Sequence, residues 1–324
     1  MFQVKKYHPQ YKNLWDDFVS KAKNATFLFH RDFMEYHSDR FEDCSLLLFE
    51  DKKVVALLPA NKVGNELFSH QGLTFGGFLT KNIRTDKYIS FVRYMLEYLK
   101  KMGIKKLHIK QIPTIYVNGF NSVQDYILYI CNVEVFRKDS LSVISLQEKF
   151  SFSNSRKEGI KRGIKNGLVV KEEENQTAFW NEILEPNLLK KYNVKPVHSV
   201  GEIILLKQKF PKNIRQFNVY KENKIVGGTT IFETPLVAHA QYISANEDKN
   251  QLGSLDFLFN HLITKVFSEK KYFDFGASNE NNGKQINKGL LFWKEGFGAQ
   301  CEIQSFYTVS TKNHTLLEAV LLYQ

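Results

Sequence analysis

RQFNVYKENKIVGGTTIF (residues 215–232), PLVAHAQYISANEDKNQLG (235–253) and SLDFLFNHLITKVFSEKKYFDFG (254–276) form one nearly continuous run whose periodicity changes from two to 3.6 and back. Two apolar-rich runs flank the polar Lys221-Glu222-Asn223-Lys224, as a hairpin requires. Leu255, Leu258, Phe259, Leu262, Ile263, Val266 and Phe267 then recur on one helical face. Ser254 is placed to cap that helix, and Asp256 suits its positive end. The order reads strand, tight turn, strand, strand, loop, helix, strand.

The same order occurs earlier. SLLLFEDKKVVALLPAN (45–61), LFSHQGLTFGG (67–77) and DKYISFVRYMLEYLKKMGIKKLHIK (86–110) repeat it, with the turn at Glu50-Asp51-Lys52-Lys53. Asp86 is the candidate cap here, and Ile89, Val92, Leu96 and Leu99 form the buried stripe. The repeat predicts two domains of one α/β (α+β) type, each a mixed, largely antiparallel sheet flanked by helices. FSFSNS (150–155) marks a boundary, which gives domains at 1–150 and 151–324. The basic stretch that follows carries Arg156, Lys157, Lys161, Arg162 and Lys165. Its three glycines (159, 163, 167) weaken it as an isolated helix and suit close packing on a neighbour.

Composition agrees with a folded chain of this size. The 324 residues are 43% hydrophobic, 24% charged and 14% aromatic, which argues against disorder. The net charge of +11 favours anionic partners. Three distant cysteines (44, 131, 301) give neither a disulfide framework nor a zinc pattern, and no metal is expected. No apolar leader and no run of 18 apolar residues occurs, so a cytoplasmic location without a membrane span is expected. Oligomeric state is not legible.

Several residues suit chemistry. The loop ANEDKNQLGSLDF (245–257) precedes a helix N-terminus, where free N–H groups attract anions and Gly253 permits close approach. Asp274 interrupts an aromatic strand, with Phe273 and Phe275 on its other face. Lys294 is a candidate to hold an oxyanion or phosphate, and Glu295 a candidate base. They equally fit an exposed pair at a helix end. His239 is a candidate base or a wall histidine. GxSxG, Walker and Rossmann signatures are absent.

The order of elements resembles the GNAT fold, and its duplication resembles the Fem-type tandem-GNAT peptidyltransferases and their acyl-CoA-using relatives. The resemblance is carried by Arg156–Lys165, QYISAN, FDFGASNE and Lys294-Glu-Gly-Phe-Gly298. It implies that an acyl donor, acetyl-CoA or another acyl-CoA, lies along the strand ending at Ser244 and Ala245. The donor's phosphates would sit near Asn250, Gly253, Ser254 and Leu255, with Asn287 nearby. Only the first glycine of the family's phosphate loop is kept, at Gly253. By the same resemblance Lys294 stabilises the reacting carbonyl; direct transfer also needs a base and an acid, for which Glu295 or Asp274 and Tyr242 are the candidates. Arg31, Tyr36, His37, His70, Gln71, His239 and Gln241 would bind the acceptor, a small molecule such as a nucleotide-linked amino sugar. Two alternatives remain: an aminoacyl-tRNA donor for peptidoglycan cross-bridges, and a non-catalytic anion-binding module on a degenerate fold. The long coiled-coil arm that tRNA users often carry has no counterpart here.

Overall fold

Both repeated hairpins form with the same turn. In a computed structural model that describes residues 2–322, strands Leu46–Glu50 and Lys53–Leu58 pair antiparallel, as do Ile214–Lys221 and Lys224–Glu233. Each turn has two residues, and its first is left-handed: Asp51 at φ 56° and Glu222 at φ 55°. That sign matches the turn twist to the strand twist.

The chain divides into two compact units, but not at residue 150. One runs to Asp139 and resumes at Ile303; the other is Ser140–Glu302. The C-terminal return was invisible to composition, because it depends on a strand pairing. Residues 306–310 lie antiparallel to Lys106–Lys110.

In the first unit an antiparallel sheet orders Phe2–Lys6, Leu46–Glu50, Lys53–Leu58 and Leu79–Thr80. Lys106–Lys110 also pairs in parallel with Glu66–Phe68. Helix Thr85–Lys101 buries Ile89, Val92, Leu96 and Leu99, adding Tyr88, Phe91 and Met95; Arg84 rather than Asp86 stands at its cap position.

In the second unit the strand order is Leu168–Glu173, Ile214–Lys221, Lys224–Glu233, Val237–Ala245, Tyr272–Ala277, then residues 141–145. All neighbours are antiparallel except Val237–Ala245 with Tyr272–Ala277. Helix Ser254–His261 buries Leu258 and Phe259, and Leu262 and Ile263 continue its face through a wider π turn. No helix among the described residues is long and apolar enough to cross a membrane.

The basic stretch forms a helix, Asn154–Lys165, capped by Ser153. Its glycines press against helix Ser254–His261. A Cβ on Gly159 would stand 1.7 Å from Asp256 Oδ2, one on Gly163 2.6 Å from Phe257 Cβ, and one on Gly253 2.0 Å from the Gly159 carbonyl oxygen. Gly253 also holds φ 72°, so it fails twice as alanine. Gly253→Ala is expected to cost more than about 2 kcal/mol. Gly103→Ala, with a similar φ and open space around it, is expected to cost about 1 kcal/mol. Urea denaturation of the two variants checks the difference.

Candidate functional site

Two neighbouring parallel strands of the second unit part company. Val237–Ala245 and Tyr272–Ala277 pair only at Val237–Tyr272, Ala238–Phe273 and His239–Asp274. Beyond His239 the edge of the first strand has no ladder partner on that side among the described residues. On its other side Thr230 faces Tyr242 while Ile231 faces Ala240, so Gln241 is the extra residue of a bulge. Such a bulge turns backbone groups out of the ladder.

Phe273 and Phe275 anchor the second strand in an aromatic cluster with Phe259, Trp293 and Phe297. Asp274 points the other way, as period two requires, and is buried. Its Oδ2 lies 2.9 Å from His239 Nδ1, and its Oδ1 accepts the Gly276 N–H at 2.7 Å. Gly276 stands at φ 71°, where a side chain would be strained and its Cβ would lie 3.3 Å from His239 Cε1. Lys294 comes in from helix Lys288–Glu295 and donates to the Gly276 and Ala277 carbonyls at 2.9 and 2.8 Å. Burial pulls its ammonium down to about 8, against the opposing pull of Asp274. With Asp274 accepting at Nδ1, His239 keeps a proton there and presents Nε2 as a proton acceptor.

Further along the free edge, Ile243, Ser244 and Ala245 line a cleft of about 620 Å³. Asn187 fastens the strand end, donating to Ser244 Oγ and the Ala245 carbonyl at 2.9 and 2.7 Å. Arg156, Arg162, Lys191 and Lys249 give the cleft its positive charge. Asn250, Leu255 and Asn287 also line it. Asn287 caps helix Lys288–Glu295 by accepting the Leu290 N–H at 3.0 Å.

Gly253 and Ser254 do not line the cleft. Gly253 is covered by the Gly159 backbone, and Ser254 is wholly buried, one step inside the helix it was expected to cap. A carboxylate already occupies the first turn. Asp256 accepts from Arg156 Nη1 at 2.7 Å and Trp293 Nε1 at 2.9 Å, and burial raises its pKa in spite of Arg156. Gly253 is thus covered, while Asn250, Leu255 and Asp256 of the same loop and first turn face the cleft. Glu295 is exposed and away from the cleft lining, one residue round the helix from Lys294. Tyr242 Oη shares a hydrogen bond with His198 Nδ1 at 2.6 Å, accepts the His198 backbone N–H at 3.3 Å, and packs edge-on to Trp180. Asn187, Lys191 and His198 enter from a segment remote in the chain that no motif marks, and Lys249 stands in the loop 245–257 as one polar residue among several.

The first unit holds a second cavity, of about 310 Å³, lined by Arg31, His37 and His70 with Tyr7, Phe41, Glu35 and Asp43. Arg31 is ion-paired to Asp43 and Glu35, and its guanidinium stacks 3.6 Å over Tyr7. His70 stands at φ 70° and stacks on His37 with ring centres 5.1 Å apart; burial pushes it down to about 3. Tyr36 stacks on His37 from outside the lining, and Gln71 is held by Asn61 through two hydrogen bonds. Among the described residues no cluster of three metal-ligating side chains occurs.

No family model and no curated protein sequence matches this chain. Solved structures do. FemX superposes with a TM-score of 0.68 at 11% identity, over 97% of this chain and 99% of its own. L-PGS from Bacillus licheniformis gives 0.59 at 13%, over 99% of both chains. A tandem GNAT protein from the clavulanic acid biosynthesis pathway gives 0.51 at 10%, over 96% and 99%. With identities this low the likeness speaks to architecture: the chain has the tandem-GNAT fold of the Fem type.

Proposed function

We propose that this protein transfers an acyl group from a phosphate-bearing donor to an amine or hydroxyl, with the chemistry at the strand fork of the second unit. One observation carries the reading: an unpaired strand edge leads from the cationic cleft back to the His239–Asp274 pair. Ile243 lies four residues from His239, about 13 Å along the strand. A donor whose phosphates meet Arg162, Lys191 and Lys249 then needs an extended arm to bring its carbonyl to His239. Acyl-CoA has such an arm, and its amides suit the backbone of a strand edge that has no ladder partner beyond His239.

Direct transfer requires a deprotonated nucleophile, a stabilised oxyanion and a protonated leaving group. His239 Nε2 takes the proton from the acceptor, and Asp274 steadies the imidazolium that results. Backbone N–H groups freed at the Gln241 bulge serve the oxyanion. Lys294 acts as a positioning residue, because two of its N–H bonds already hold Gly276 and Ala277. Tyr242 is committed to His198, and the proton returned to the leaving group comes from His239. Amino sugars and nucleotide sugars are among the acceptor classes that offer such an amine or hydroxyl.

A second reading has its own support. The exposed lysines of helix Asn154–Lys165 suit an aminoacyl-tRNA, held by side-chain cations along a longer anion. A thermal-shift titration separates the two. Acetyl-CoA at about 100 times its dissociation constant should stabilise the protein by about 2.7 kcal/mol, a rise of several degrees. Lys249→Glu with Arg162→Glu should abolish the rise. Silence with every CoA species, together with salt-sensitive tRNA binding, would transfer the reading to the second donor.

His239→Asn is expected to lower turnover 10²- to 10⁴-fold, on the order seen for loss of a general base, with donor affinity unchanged. Equal loss of affinity would argue that His239 only binds. Lys294 has a folded pKa below its unfolded one, so the unfolded chain holds more protons between pH 8 and 10.5. Its charge opposes folding fully below about pH 8 and less as pH rises. Wild type should therefore gain stability over Lys294→Met between pH 8 and 10 in urea denaturation.

A further inference from the structure

Helix Lys288–Glu295 is inside out. It buries Lys294 and exposes Leu290 (39%) and Phe292 (63%). Ile286, just before it, is 48% exposed. At the same cleft, helix Glu185–Tyr192 and the turn after it expose Leu189 (59%), Tyr192 (63%), Val194 (49%) and Val197 (72%). Tyr192, Leu290 and Phe292 all line that cleft, so the two segments share one rim. A helix facing only water turns its leucine and phenylalanine inward, and a contiguous exposed apolar patch marks an interaction surface.

Lysine dominates the charged residues of the rim, with Glu185 and Glu295 at the ends of the two helices. Lys190, Lys191, Lys195, Lys284 and Lys288 are exposed among the apolar side chains, and residues 186–198 and 284–294 contain no carboxylate. Only Lys190 is drawn to an acid, the exposed Glu247. Aromatic and aliphatic tips interleaved with lysines match the boundary of an anionic bilayer, where apolar groups enter the acyl region and ammonium groups meet phosphates. RNA fits less well, since Leu189, Val194, Val197 and Leu290 offer it neither stacking nor hydrogen bonds.

We propose that this rim docks the second unit on an anionic lipid surface. The inference is independent of the transfer reading, because vesicle binding is measured without turnover. Co-sedimentation of the full chain with phosphatidylcholine vesicles, and with vesicles containing phosphatidylglycerol as well, tests it. Binding is expected only with phosphatidylglycerol, weakening as salt rises. Tyr192→Ser with Phe292→Ser should lower the partition coefficient on the order of tenfold or more. Lys195→Glu with Lys288→Glu should abolish the preference for phosphatidylglycerol. Both pairs are exposed, and circular dichroism verifies that they fold. Absence of vesicle binding, or wild-type binding by the Ser pair, would overturn the proposal. So would a dimer in sedimentation velocity that the Ser pair dissolves, since a second copy would then cover the rim.

Discussion

A carboxylate taken out of water must be satisfied on every side, and Asp274 is the clearest case in this protein. It meets His239 with one oxygen and the Gly276 N–H with the other. The turn that supplies that N–H needs a left-handed residue, so Gly276 follows from Asp274. The carbonyls left over by the same turn need a donor, and Lys294 reaches them from the next helix. Leaving one such buried group unpaired costs about 1–3 kcal/mol. The fork between two parallel strands is therefore a position that several residues hold open together, and the histidine that begins the free edge is fixed in one orientation by the same contacts.

The second organising constraint is close backbone approach. Gly159, Gly163 and Gly253 let two helices meet with almost no side chain between them. This contact explains glycines that look wrong for a helix. It also changes the chemistry at the helix N-terminus, because it brings Arg156 onto Asp256 and fills the space above Gly253. At the cleft the positive charge is carried by the side chains of Arg162, Lys191 and Lys249. Side-chain cations grip an anion with less fixed geometry than a ring of amides does, which suits a phosphate group of variable pose.

Periodicity was a reliable guide where local geometry decides. The repeated hairpins, the buried stripe of helix Thr85–Lys101 and the aromatic face of Tyr272–Ala277 follow from residue order, because turn sign and side-chain alternation are set within a few residues. Asp274, His239 and Lys294 were visible as unusual polar residues in apolar settings. Their mutual contacts were not visible, since positions 239, 274 and 294 come together only through a parallel crossover and a returning helix. Gly253 permits close backbone approach by an anion or by a packed helix alike; residue order does not choose between them, and Gly159 takes the place.

The amino-acid sequence by itself determined the alternation of strands and helices, the duplicated plan, the positive charge and the polar residues that stand out of place. Each of those is a local property of spacing and side-chain type. Tertiary structure alone decided that the first unit reclaims residues from Ile303 on, that Gly159 packs over Gly253, and that helix Lys288–Glu295 hides its lysine and shows its phenylalanine. The physical reason is common to all three: burial is a property of what another segment places against a residue, and that segment lies far away in the chain.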